Sequence, residues 1–94
     1  MSFPLGRLLA TPGVIAAAES SGDNLMLFVF RHSEGDWGDL SREDVLANAQ
    51  SLKDGTRLLS AYHLKDGTRI WVITEAQDDG GYREATTILL PGEY

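Results

Sequence analysis

Arg57-Leu58-Leu59-Ser60-Ala61-Tyr62-His63-Leu64-Lys65-Asp66-Gly67-Thr68-Arg69-Ile70-Trp71-Val72-Ile73-Thr74-Glu75-Ala76 is the part of the chain from which the architecture is read. Two runs rich in β-formers, Arg57–Leu64 and Arg69–Ala76, flank Lys65-Asp66-Gly67-Thr68. An Asp-Gly pair between such runs marks a β-hairpin, because the tight turn needs positive φ and Gly supplies it without steric cost. Downstream, the loop Gln77–Tyr82 leads to a third strand, Glu84–Leu90, which Pro91 stops. Alternation puts Leu58, Ser60, Tyr62 and Leu64 on one face of the first strand, with Leu59, Ala61 and His63 on the other. Ile70, Val72 and Thr74 oppose Trp71, Ile73 and Glu75, and Thr86, Ile88 and Leu90 oppose Thr87 and Leu89, so that an apolar second face includes Trp71. Neither face is clearly polar. The second is therefore expected either to associate with another molecule or to be wrapped by the chain's own N-terminal segment.

Upstream of the hairpin the pattern is helical. Thr11-Pro12-Gly13 starts a helix to about Ser20, with Thr11 as cap, Pro12 at the first position and Val14, Ile15 and Ala18 inward. Leu5, Leu8 and Leu9 before it read as a short turn or extended lead-in. Leu25–His32 is apolar from Leu25 to Phe30, which fits a buried strand or a helix. The Asp23-Asn24 cap and the missing hairpin partner favour the helix. Ser41 caps a third helix that ends at Asp54-Gly55, with Val45, Ala49 and Leu52 on its inner face and Leu46 beside them. The expected fold is α+β: about three N-terminal helices packed on a C-terminal three-stranded antiparallel meander, in a single domain over residues 1–94. Leu-Lys-Asp-Gly-Thr-Arg occurs at 52–57 and again at 64–69. Both copies read as turn chemistry rather than as a duplicated binding loop.

Composition narrows function. The 94 residues carry eight Lys+Arg against fourteen Asp+Glu, a net charge of −6. A phosphate-backbone binder needs clustered positive charge, so direct nucleic-acid binding is not expected. There is no cysteine, so disulfides, thiolate catalysis and cysteine metal sites are excluded. No apolar run approaches the ~20 residues of a spanning helix, and no secretory or lipidation signal is read, so a cytoplasmic location is expected.

Catalytic motifs are sparse. Only His32 and His63 could serve as an imidazole base, and no Gly-x-Ser-x-Gly elbow is present. Asp36, Asp39, Asp78 and Asp79 are candidate acid–base carboxylates, but nothing in the sequence buries one. Gly80-Gly81 reads as a turn. His32-x-Glu34-x-Asp36 would line three ligand types on one face if extended, a weak metal signal. No enzyme activity, metal or cofactor is expected. The distinctive stretch is 31–44. Between Glu34 and Asp44 lie five acids, Glu34, Asp36, Asp39, Glu43 and Asp44, and one base, Arg42, with Trp37 among them. An aromatic anchor ringed by carboxylates suits docking onto a basic protein surface. These six residues are the candidate binding site. The competing expectation is Trp37 folded inward to plug the helix junction.

Arg31-His32-x-x-Gly35-Asp36-Trp37-Gly38-x-Leu40, Ser51-Leu52-x-x-Gly55-x-Arg57-Leu58-Leu59-Ser60-Ala61-Tyr62, Asp66-Gly67-Thr68, Ile70–Ala76 and Thr86-Thr87-Ile88-Leu89-Leu90-Pro91-x-x-Tyr94 carry a resemblance. Over about residues 5–94 the chain resembles a family of short, uncharacterised bacterial proteins labelled plasmid-related and associated with mobile elements. The Gln77–Arg83 loop is longer than that family's usual connection. The resemblance implies no catalytic residues. It implies a protein of a mobile element, such as an inhibitor of host defence of the anti-restriction or anti-CRISPR type. Such an inhibitor would act through protein–protein contacts with a basic, nucleic-acid-processing partner. The alternative expectation is a small structural or regulatory module that forms a homodimer through its sheet.

Overall fold

Each helix starts where a capping side chain stands. In the computed structural model, which describes residues 3–94, Thr11 Oγ1 accepts from Val14 N, Asn24 Oδ1 from Met26 N and Ser41 Oγ from Asp44 N. These caps open α1 (Pro12–Ser21), α2 (Leu25–Ser33) and α3 (Arg42–Asp54). Gly22 and Gly55, both left-handed, close α1 and α3. The ambiguous apolar run is thus a helix. The sheet contains β1 (Arg7–Ala10), β2 (Leu58–His63), β3 (Arg69–Thr74) and β4 (Ala85–Leu89), and a short 3-10 turn, Pro91–Glu93, follows.

The expected three-stranded meander is corrected to a four-stranded mixed sheet of order β1-β4-β3-β2. The β2–β3 and β3–β4 pairs are antiparallel, as the hairpin signal requires, but β1 lies parallel to β4 with Arg7 beside Ala85 and Ala10 beside Ile88. The supposed lead-in is therefore a strand. Its four residues are too few to show alternation, and its partner lies at the far end of the chain. Gly6 (φ 65°) makes the approach possible, because a Cβ there would run into the carbonyl oxygens of Arg83 and Glu84.

The core lies between the helices and one sheet face. Val14, Phe28 and Val29 pack on Tyr62, Leu64, Ile70, Val72 and Ile88. Tyr62 on β2, Ile70 and Val72 on β3 and Ile88 on β4 each belong to one alternating set of their strand, and the strand register brings these sets together. Ile15, expected inside, is exposed, because only Val14 and Ala18 of α1 are buried. The Asp-Gly-Thr repeat does the same local chemistry twice: Asp54 Oδ1 accepts from Thr56 N (3.1 Å) and Asp66 Oδ1 from Thr68 N (2.9 Å). Asp23 ties the α1–α2 junction to the hairpin by accepting from Lys65 N (2.8 Å).

The two sheet edges are treated differently. At the β2 edge, Asn48 uses its amide as a strand would: Nδ2 donates to Leu59 O (2.7 Å) and Oδ1 accepts from Leu59 N (3.1 Å). Trp37 O accepts from Ala61 N (3.0 Å), and Asp39 N donates to Ala61 O (2.7 Å). Gly38 (φ 73°) lets this loop lie against β2; a Cβ there would meet Ala61 O and the Tyr62 ring. This geometry corrects the face expected for α3. The helix runs along the edge rather than over the sheet, so Asn48 and Ser51 are buried while Val45, Leu46, Ala49 and Leu52 are exposed. An edge presents polar backbone, and polar side chains are what satisfy it. Among the described residues, none covers the β1 edge in this way.

Candidate functional site

The fold turns the six apolar residues Leu25–Phe30 into a helix that is apolar nearly all round. Phe28 and Val29 enter the core, and His32 follows them inward. Met26, Leu27 and Phe30 point outward, 54%, 63% and 63% exposed. One helix can bury only one stripe against one sheet, so the remaining apolar side chains face solvent. This surface was missed by the sequence reading. Its signal was there: six consecutive apolar residues, once helical, exceed any single buried face.

The acidic stretch begins where α2 ends. Arg31 Nε donates to Asp36 Oδ2 (2.7 Å) and Nη2 to Oδ1 (3.4 Å), and Gly38 N donates to Asp36 Oδ1 (3.2 Å). The Arg31 guanidinium, with the Gly38 amide, holds the Asp36 carboxyl below the ordinary carboxylate range. The same guanidinium lies 4.5 Å from the Tyr62 ring centroid, and the Tyr62 hydroxyl donates to Asp36 O (2.5 Å). Burial pushes the Tyr62 hydroxyl up to about 12, so it stays protonated. Arg31, Asp36, Gly38, Asp39, Ala61, Tyr62 and His63 line an open groove of about 490 Å³. In it, Asp39 Oδ2 stands 3.9 Å from His63 Nδ1.

Trp37 turns inward. Its ring stacks on Phe3 at 6.0 Å between centroids and meets His32 edge-on at 5.6 Å, and it is half-buried. It therefore plugs the junction between the N-terminal segment and α2. The six candidate residues do not form one patch. Asp36 and Asp39 share the groove, and Glu34 caps the end of α2. Glu43 and Asp44 occupy the first turn of α3, with Asp44 lining a separate small cleft beside Asn48, Arg57 and Leu59.

His32 belongs to a chain of buried polar groups. Thr86 Oγ1 donates to Leu5 O (2.7 Å), which can only accept. Thr86 therefore accepts from the Thr74 hydroxyl (2.7 Å), and Thr74 in turn accepts from His32 Nε2 (2.8 Å). The imidazole thus carries its proton on Nε2, and Nδ1 accepts from the Ser60 hydroxyl (2.5 Å). His32, Ser60, Thr74 and Thr86 are all buried, and burial lowers the His32 pKa to about 4. This chain pins α2 to β2, β3 and β4. It separates His32 from Glu34 and Asp36, which face outward because the segment is the end of a helix rather than a strand. Among the described residues no group of three or more His, Asp or Glu is placed to hold a metal.

One further candidate carboxylate, and an arginine not among the candidates, serve the frame. Asp78 Oδ1 accepts from Gly80 N (2.9 Å) and Tyr82 N (3.0 Å), closing the long loop. Arg83, 4% exposed, donates to the carbonyls of Thr56 (2.7 Å), Glu75 (3.0 Å) and Ser51 (3.2 Å), fastening the last turn of α3 to the sheet. On the second sheet face, Tyr94 lies edge-on to Trp71 at 5.9 Å. Among the described residues, the ring that covers Trp71 there comes from the C-terminal end.

These features define a small α+β protein with a helical layer on one face of a mixed sheet, an apolar outer helix face and an acidic loop beside it. No protein-family model, no curated protein and no solved structure matches the chain. Among the described residues no helix is long and apolar enough to cross a membrane.

Proposed function

We propose that the chain is a non-enzymatic binding protein that docks through the outer face of α2 onto a protein with an apolar groove rimmed by basic side chains. The single observation that carries this reading is the exposure of Met26, Leu27 and Phe30 on one helix face. An amphipathic groove takes such a helix through side chains spaced three and four apart, and 26, 27 and 30 have that spacing. The acids that follow α2 and open α3, together with the net charge of −6, favour a basic rim and steer the encounter. Trp37 is no longer the anchor in this reading; it holds the loop that presents Asp39. A basic rim of this kind is what a nucleic-acid-processing complex offers. The mobile-element resemblance points the same way, toward an inhibitor of host defence.

The test is paired affinity capture from a nuclease-treated bacterial lysate, at low and high salt, with wild type and with Leu27→Ser/Phe30→Asp. Each deeply buried Leu or Phe contributes about 2 kcal/mol, so losing both weakens binding well beyond tenfold. A partner held by wild type, released by salt and absent from the variant is expected. Equal recovery by a well-folded variant would sink the reading.

A further inference from the structure

We propose that the open edge of β1 pairs antiparallel with β1 of a second copy of this chain, with Leu9 on the two-fold axis. The two edges of the sheet invite the comparison. Every outward backbone group of Leu59 and Ala61 on β2 is met by Asn48, Trp37 or Asp39. On β1, Arg7 N donates to Glu84 O (3.0 Å) and Thr11 N to Ile88 O (3.1 Å), so residues 7, 9 and 11 bond toward β4. The N–H and C=O of Leu8 and Ala10 face the other way, and all four strand residues are exposed, Leu8 at 44% and Leu9 at 43%. A second extended strand supplies donors and acceptors at that spacing along the whole edge.

The flanks of β1 select the register. Pairing Leu8 with Ala10 of the second copy, and Ala10 with its Leu8, engages all four outward groups of each strand and sets Leu9 against Leu9. Centring on Leu8 would pair Ala10 with Gly6, whose φ of 65° is not extended. Centring on Ala10 would pair Leu8 with Pro12, which has no N–H. The surviving register places Arg7 of each copy opposite Thr11 of the other. Thr11 Oγ1 donates to Glu93 Oε1 (2.5 Å), so a carboxylate waits beside that position. Among the described residues, Arg7 meets an acid in its own chain at one exposed contact, to Glu84 at 3.5 Å. Opposite charges therefore meet twice across the axis, which singles out a second copy over an arbitrary strand. The result is a continuous eight-stranded sheet. Because a different element carries it, this surface stands or falls independently of α2.

Sedimentation velocity over a wide concentration range, with wild type, Leu8→Pro and Arg7→Glu, tests the pairing. Proline at position 8 removes an outward N–H and leaves every bond to β4 in place, so that variant folds. Wild type is expected to shift from monomer to dimer mass as concentration rises. Leu8→Pro is expected to stay monomeric throughout, and Arg7→Glu to need at least tenfold more protein to associate. Hydrogen exchange provides a second readout: the Leu8 and Ala10 amides should be protected in concentrated protein and exchange freely on dilution. A wild type that stays monomeric with freely exchanging Leu8 and Ala10 amides, or a Leu8→Pro variant that still dimerises, overturns the proposal.

Discussion

Acidification from pH 6.5 to about pH 4 is expected to remove about 3 kcal/mol of stability through His32 alone. The folded protein holds this imidazole neutral, at a pKa near 4 instead of 6.5, because its site is buried. The unfolded chain takes up the proton first as pH falls. Stability from this group is therefore complete above pH 6.5, declines as pH drops through the interval, and reaches its floor near the folded pKa. Each tenfold difference in proton affinity is 1.36 kcal/mol, so the drop to about 4 corresponds to roughly 3 kcal/mol. Urea denaturation across that pH range, on wild type and His32→Gln, measures it. The amide of Gln keeps a polar group between Ser60 and Thr74 but does not titrate. Asp36 and the other carboxylates with lowered pKa values lose their contribution at still lower pH and are common to both proteins. The difference between the two stability profiles isolates His32. Parallel profiles from pH 6.5 to 4.5, or an NMR titration of His32 near its ordinary value, would refute the reasoning. The nitrogen spectrum should also show the Nε2-protonated tautomer.

Asn48→Ala should cost about 2 kcal/mol in equilibrium unfolding, because Leu59 N–H and C=O lose their partner under α3. Arg83→Met should cost about 3 kcal/mol and release the last turn of α3 from the sheet, seen as faster amide exchange there, because three carbonyls lose one charged donor. Phe30→Asp should leave the denaturation midpoint within about 0.5 kcal/mol of wild type, since the side chain is outside the core.

Local chemistry was the legible part of this chain. Thr11-Pro12, Asn24 and Ser41 each cap a helix where they stand, and Asp66-Gly67 turns the hairpin. Such signals need only neighbouring residues. The parallel β1–β4 pair needs residues 7 and 85 together, and nothing in Arg7-Leu8-Leu9-Ala10 announces that partner. The face of α3 failed for a related reason. Hydrophobic periodicity assumes that a helix packs on an apolar surface, whereas α3 packs on a strand edge and buries Asn48.

The site divides the same way. Charge counting located the acidic stretch, but pairing is a property of three dimensions, and Arg31 takes up Asp36. Trp37, open between anchor and plug, packs on Phe3 and His32 because the loop curls over the N-terminal segment. The exposed stripe of α2 was hidden by the strand-or-helix ambiguity of Leu25–Phe30, since only the helical outcome leaves Met26, Leu27 and Phe30 outside.

The binding role is tested most directly by installing a photo-crosslinking side chain at Phe30 and, in a parallel protein, at the exposed Lys53 of α3, then irradiating living cells. One dominant crosslinked protein from position 30, absent from position 53 and abolished by Leu27→Ser, is the expected result. No crosslink from position 30, or the same pattern from both positions, would contradict docking through α2.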